Sequence, residues 1–80
     1  GTVDQAFPIV REIIHAALQK FAKSIVCAHN HPSGESSPSI QDKKFTQDLC
    51  NAGKLMDIKL LDHIIIAGDK HFSFADEGLV

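Results

Sequence analysis

The stretch Ser24-Ile25-Val26-Cys27-Ala28-His29-Asn30-His31-Pro32-Ser33-Gly34-Glu35-Ser36-Ser37-Pro38-Ser39-Ile40-Gln41-Asp42 decides the fold. Residues 24–28 (SIVCA) are β-branched or small and apolar with no polar alternation, which predicts a strand buried on both faces. Residues 29–38 hold two of the three prolines, Gly34 and several serines, which predicts a loop. Ser39 then opens a helix. Ser39-Ile40-Gln41-Asp42 has the spacing of a capping box, although Asp is shorter than the preferred Glu or Gln. Phe45, Leu49, Ala52 and Met56 continue one apolar face at helical steps, with Gly53 a weak spot near the end.

Working outward, Val10, Ile13, Ile14, Ala17, Leu18 and Phe21 recur at steps of three and four. They predict a helix over residues 8–23, with Pro8 in its first turn and Arg11, Glu12, His15 and Gln19 on the polar side. Residues 58–67 (IKLLDHIIIA) read as a strand carrying the polar pair Asp62-His63. Gly68-Asp69-Lys70 makes a tight turn, and residues 71–74 return as a partner strand. The order helix, strand, helix, strand, strand predicts an α/β unit, a small mixed sheet flanked by two helices, as a single domain over residues 1–80. Three strands offer little sheet for two helices, and Gly1-Thr2-Val3 begins abruptly. The chain therefore reads as the C-terminal part of a larger domain whose N-terminal strands lie upstream, with an uncovered edge prone to self-association.

Composition narrows the functional classes. With 44% hydrophobic and 22% charged residues the chain is of globular composition. A net charge of −2 gives no support to nucleic-acid binding. The longest apolar run, residues 64–67, is far short of the ~20 residues of a membrane span. No signal peptide is visible, and Cys27 and Cys50 are too few for a disulfide scaffold, so reduced thiols and a cytoplasmic location are expected. A domain of this size without disulfides points to a metal or a partner.

The metal ligands are suggested by spacing. His29 and His31 lie two apart, so on an extended backbone both imidazoles face one point. Asp42 comes one turn into the following helix, and the loop can bring strand end and helix start together. Two imidazoles and a carboxylate form the three-ligand set of an open zinc site, completed by water. The plainer reading, a polar surface loop before a capped helix, leaves unexplained why an apolar strand ends in two same-side histidines.

Among the other candidates, Cys27 shares the face of His29 but suits a small buried thiol better than a ligand. Asp62 and His63 are strand neighbours that cannot both aim at one spot, which favours a structural role for His63. His15 and His71 read as surface residues, and Lys43-Lys44 as a solvated helix face. His29-Asn30-His31 spells HNH, but three adjacent residues do not reproduce the separated ligands of HNH nucleases. A zinc deaminase would need a Cys-x-x-Cys pair, which Cys27 and Cys50 are too far apart to supply.

His29-x-His31 followed by Asp42, with Ser39 three residues before it, resembles the JAMM motif of the JAB/MPN metalloprotease superfamily. AHNHPSGESSPSIQD, the later Thr46 and LLDHIIIAGDKHFSF resemble the RadC-like bacterial branch over most of the chain. This resemblance implies a JAB/MPN fold, similar to that of cytidine deaminases, with Zn2+ held by His29, His31 and Asp42. It further implies Ser39 as oxyanion stabiliser and hydrolysis of peptide or isopeptide bonds. Ser39 is also a natural N-cap, and one hydroxyl can serve both roles.

The sequence departs from that pattern at the general base. The family's Glu lies upstream of the Gly-Thr that opens this chain, Glu12 sits on a polar helix face, and Glu35 is in the loop. Neither is assigned as catalytic, so the base is expected outside this chain, and the 80 residues by themselves are expected to bind zinc better than they hydrolyse. A non-catalytic binding module associated with DNA repair or mobile elements is the rival reading. The RadC-like family carries a DNA-repair label that no feature of this sequence argues for.

Overall fold

The computed structural model describes residues 10–80, in which the elements follow as α1 (Val10–Gln19), β1 (Ser24–Asn30), α2 (Ile40–Leu55), β2 (Lys59–Ala67) and β3 (Lys70–Ser73). The sheet order is β1-β2-β3, with β1 and β2 parallel and β2 and β3 antiparallel, so the sheet is mixed as expected. Pro8 and the opening Gly1-Thr2-Val3 lie outside the described residues.

α1 is shorter than its periodicity predicts. It ends at Gln19, and Phe21, expected on the buried face, adopts φ 53° and is 90% exposed. Two hydrogen bonds explain the stop: Ala22 N–H donates to Ala17 O at 2.9 Å and Phe21 N–H to Leu18 O at 3.1 Å. This is the Schellman pattern, which needs a left-handed residue at the place Phe21 occupies. α2 closes the same way, with Ile58 N–H on Gly53 O at 2.7 Å, Asp57 N–H on Lys54 O at 3.3 Å, and Asp57 at φ 58°. Met56 is thus the C-cap of α2 and 52% exposed, not part of its buried face.

β1 is also corrected. It runs on through Asn30, and it alternates: Ile25, Cys27 and His29 are partly buried while Val26, Ala28 and Asn30 are exposed. The reason is that both helices pack into one cluster on one side of the sheet. Ile14, Ala17, Leu49, Ile58 and Leu60 form that cluster, with Ile25, Cys27 and Phe45 packed against it. On the opposite side Val26 and Ile66 are 57% and 44% exposed.

β2 carries an irregularity that matters for the site. Ile25 pairs with Leu60 but Val26 pairs with Asp62, so Leu61 is an extra, exposed residue. Strict alternation would set Leu60 and His63 on opposite faces; the bulge puts both on the helix side, buried together with Ile65 and Ala67. Asp62 then points away and accepts hydrogen bonds from its neighbour His63 N–H (2.7 Å), Ser73 Oγ (2.6 Å) and Ala75 N–H (2.9 Å). It ties β3 and the residues after it to β2.

Candidate metal centre

β1 continues its parallel ladder one step past its end, where His31 N–H donates to Ile66 O at 2.8 Å. Extended backbone from His29 to His31 sets both imidazoles on the same side, with ring centroids 4.8 Å apart. The chain then turns at Gly34, whose φ of 87° suits glycine and whose N–H donates to His31 O at 3.1 Å. His31 Nδ1 donates to Glu35 O at 2.8 Å, which leaves His31 Nε2 as the nitrogen turned to the site. Glu35 acts there through its backbone carbonyl, a role that reading side chains along the sequence gives no signal for.

α2 delivers the carboxylate. The capping box is complete despite the short Asp: Asp42 N–H donates to Ser39 Oγ at 3.0 Å, and Ser39 N–H donates to Asp42 Oδ2 at 2.7 Å. Asp42 is fully buried. His29 Nε2 lies 3.2 Å from Asp42 Oδ1, and His31 Nε2 lies 3.2 Å from Asp42 Oδ2. One ligand atom from each of the three residues lies within 4.8 Å of the others. Zn–N and Zn–O bonds of about 2.0–2.1 Å at tetrahedral angles place neighbouring ligand atoms about 3.3 Å apart, so this spacing suits a common ion.

Electrostatics point the same way. Burial works against the ionised form of Asp42, but hydrogen bonds from the Ser39 backbone and side chain and the nearby His29 and His31 outweigh it and hold its carboxyl below the ordinary value. Burial depresses His29, and Asp42 only partly offsets that, so the ring favours its neutral, ligating form. Asp42 Oδ1 is buried and accepts no hydrogen bond among the described residues. A buried carboxylate oxygen in that state is costly unless a cation meets it. Two imidazole nitrogens and this oxygen therefore fit a divalent ion.

Behind His29 stands His63, buried among Phe74, stacked on it at 4.8 Å between centroids, and Phe45 at 5.8 Å. His63 Nε2 is 2.8 Å from His29 Nδ1, and His63 Nδ1 is 2.5 Å from Thr46 Oγ1, which donates to Asp42 O at 2.8 Å. Burial first, then the neighbouring His29, lowers the pKa of His63 and keeps it neutral.

The remaining candidates fall elsewhere. Cys27 packs against the apolar cluster, where burial raises its pKa and keeps it a thiol. His15, His71 and Glu12 are exposed. The Lys44 ammonium pairs with Asp48 on the solvent side of α2 at 2.8 Å.

This arrangement sits in a chain whose residues 1–79 match the RadC-like JAB domain. The chain belongs to that family. It is 46% identical over 80 residues to a UPF0758 protein of Histophilus somni (strain 2336), and the match covers 100% of this chain and 36% of that protein. It is 48% identical over 80 residues to a UPF0758 protein of Bordetella avium (strain 197N), again 100% of the chain and 36% of the relative. A UPF0758 protein of Pseudoalteromonas translucida (strain TAC 125) is 46% identical with the same coverage. The RadC-like JAB chain thus spans about a third of the length of these relatives. Among the described residues, no helix is long and apolar enough to cross a membrane.

The sequence signal for the candidate ligand set is strong because His29, His31 and Asp42 lie within one short run. Thr46 and His63 carry a weaker one. Thr46 follows Asp42 by four residues on the same helix, a spacing that puts them on one face. His63 joins His29 across two strands, and the residue that turns it there, Leu61, leaves no mark in the pattern of alternation.

Proposed function

We propose that His29, His31 and Asp42 hold a catalytic Zn2+ and that the protein is a metallohydrolase acting on peptide or isopeptide bonds. The observation that carries the reading is the buried, unbonded Asp42 Oδ1 set 3.2 Å from His29 Nε2, with His31 Nε2 at the same distance from the other carboxylate oxygen. When bound, such an ion supplies a Lewis acid for a carbonyl and lowers the pKa of water. His29 and His31 are one-fifth exposed, so the ligand side of the site opens to solvent and substrate. Ser39 Oγ accepts the Asp42 N–H at the exposed start of α2, and its hydroxyl, which supports the Asp42 carboxylate, is the candidate donor to a developing oxyanion beside it. Glu12 and Glu35 are exposed and their carboxylates take no part in the cluster, which agrees with a general base supplied from outside the described residues.

The first test is metal content. His29→Ala and Asp42→Ala are expected to lose stoichiometric zinc by mass spectrometry, while His15→Ala and His71→Ala keep it, because two ligands make an inadequate chelate. Unchanged zinc in Asp42→Ala removes Asp42 from the ligand set. In a longer protein that supplies the general base, chelator-sensitive cleavage of peptide or isopeptide substrates, lowered in Ser39→Ala, is the expected activity, whereas these 80 residues by themselves should bind zinc and turn over little. Stoichiometric zinc with no turnover by that longer protein on either substrate class favours a binding module instead.

A further inference from the structure

The inference rests on the metal reading above and concerns how one ligand is held. Four groups stand in line behind the site: the Asp42 carbonyl, the Thr46 hydroxyl, the His63 ring and the His29 ring. A carbonyl oxygen only accepts, and this fixes the direction of every bond that follows. Thr46 Oγ1 spends its one proton on Asp42 O at 2.8 Å. Toward His63 Nδ1 it is then an acceptor, so that nitrogen carries the ring proton. His63 Nε2 is left with its lone pair and accepts from His29 Nδ1–H at 2.8 Å. His29 in turn keeps its lone pair on Nε2, the nitrogen turned toward Asp42 Oδ1.

We propose that His63, anchored through Thr46 to the Asp42 carbonyl, is a positioning residue that fixes the tautomer of His29 and presents its Nε2 as a metal ligand. Metal-binding imidazoles commonly donate their second N–H to a carboxylate, a carbonyl or water. Here the acceptor is another imidazole, which accepts only if its own tautomer is fixed. Thr46 fixes it. Thr46 and His63 are 2% and 1% exposed, so water does not compete for these bonds. Asp42 holds the line at both ends, with its carboxylate facing His29 and its carbonyl under Thr46. A movement of α2 therefore carries the carboxylate and the orientation of His29 together.

Two measurements on the intact protein test this. In the metal-free, 15N-labelled protein, the imidazole spectra should show neutral His63 with Nδ1 protonated and Nε2 bare. With zinc bound, a coupling should appear across the hydrogen bond between His29 Nδ1 and His63 Nε2. His63 with its proton on Nε2 reverses the line and overturns the proposal. The second measurement is zinc affinity by chelator competition. His63→Phe keeps a ring for Phe74 to stack on but has no acceptor, and should weaken zinc binding by ~10–100-fold. His63→Gln places an amide oxygen near the former Nε2 and should recover most of that loss. Thr46→Val is close in shape, should weaken zinc less than His63→Phe, and should leave His63 a mixture of tautomers. Should His63→Phe fail to fold, the Gln and Val variants decide the matter by the same ordering. Variants that bind zinc like a zinc-binding wild type overturn the proposal alone; a wild type that binds no zinc overturns the metal reading and this proposal with it.

Discussion

Phe21 holds a left-handed backbone at a position where glycine is the usual choice, and its side chain is 90% exposed. Replacing it removes a conformational penalty and forfeits little burial. Phe21→Gly is expected to raise stability by about 0.5–1 kcal/mol, less than the full left-handed penalty because glycine gains entropy in the unfolded chain. A higher urea midpoint at unchanged slope is the readout. Gly53 behaves in the opposite way. A Cβ there would clash with the Ile58 carbonyl oxygen, a backbone atom that cannot swing aside. Gly53→Ala gains ~1 kcal/mol of helix propensity but meets an overpacking cost of ~1–3 kcal/mol, so a net loss of about 1 kcal/mol is expected in the same denaturation experiment. The sequence read both positions by periodicity: Phe21 fell on the apolar stripe, and Gly53 looked like a defect. Close approach and the capping turn are contacts between α2 and its exit, and between α1 and its exit, which periodicity does not encode.

At the scale of elements, β2 shows what was legible and what was not. Its existence, its partner β3 and the glycine turn between them followed from local composition. The face of His63 did not, because one bulged residue resets the alternation downstream of it. The capping box of α2, in contrast, was readable from four consecutive residues and forms in full. Asp62, on the outer side of the bulged strand, gives a pH-dependent test of that element. Burial opposes its charge, but donors from Ser73, Ala75 and His63 outweigh burial and lower its pKa. A carboxylate depressed in the folded state adds stability above the unfolded value near ~4 and loses it as pH falls through the lower folded value. Asp62→Asn should therefore cost about 1 kcal/mol at neutral pH, allowing for solvent screening, with the gap to wild type closing toward pH ~3. Urea midpoints at the two pH values measure it; an equal gap at both would remove the carboxylate's charge from the account.

Over the whole molecule, the three candidate ligands come from β1, the residue just past it and α2, so an ion held there would link elements that otherwise meet through a small apolar cluster. Ligand present at ~100 times its dissociation constant adds about 2.7 kcal/mol to the folded state. For a domain of this size that is a rise in melting temperature of about ten degrees or more. Calorimetry with zinc and with chelator should show it in wild type and not in His29→Ala. Parallel pairing also sorts the molecule lengthwise. Ser24 pairs with Lys59, beside the two helix exits at Phe21 and Asp57, whereas Asn30 pairs with Ile66, beside the histidines. Six strand steps, roughly 20 Å, separate these ends. A protein engineer therefore has two workbenches in one small domain: turns at one end can be rebuilt for robustness while the candidate ligands at the other stay untouched, so a gain in stability at Phe21 need not be traded against the metal site.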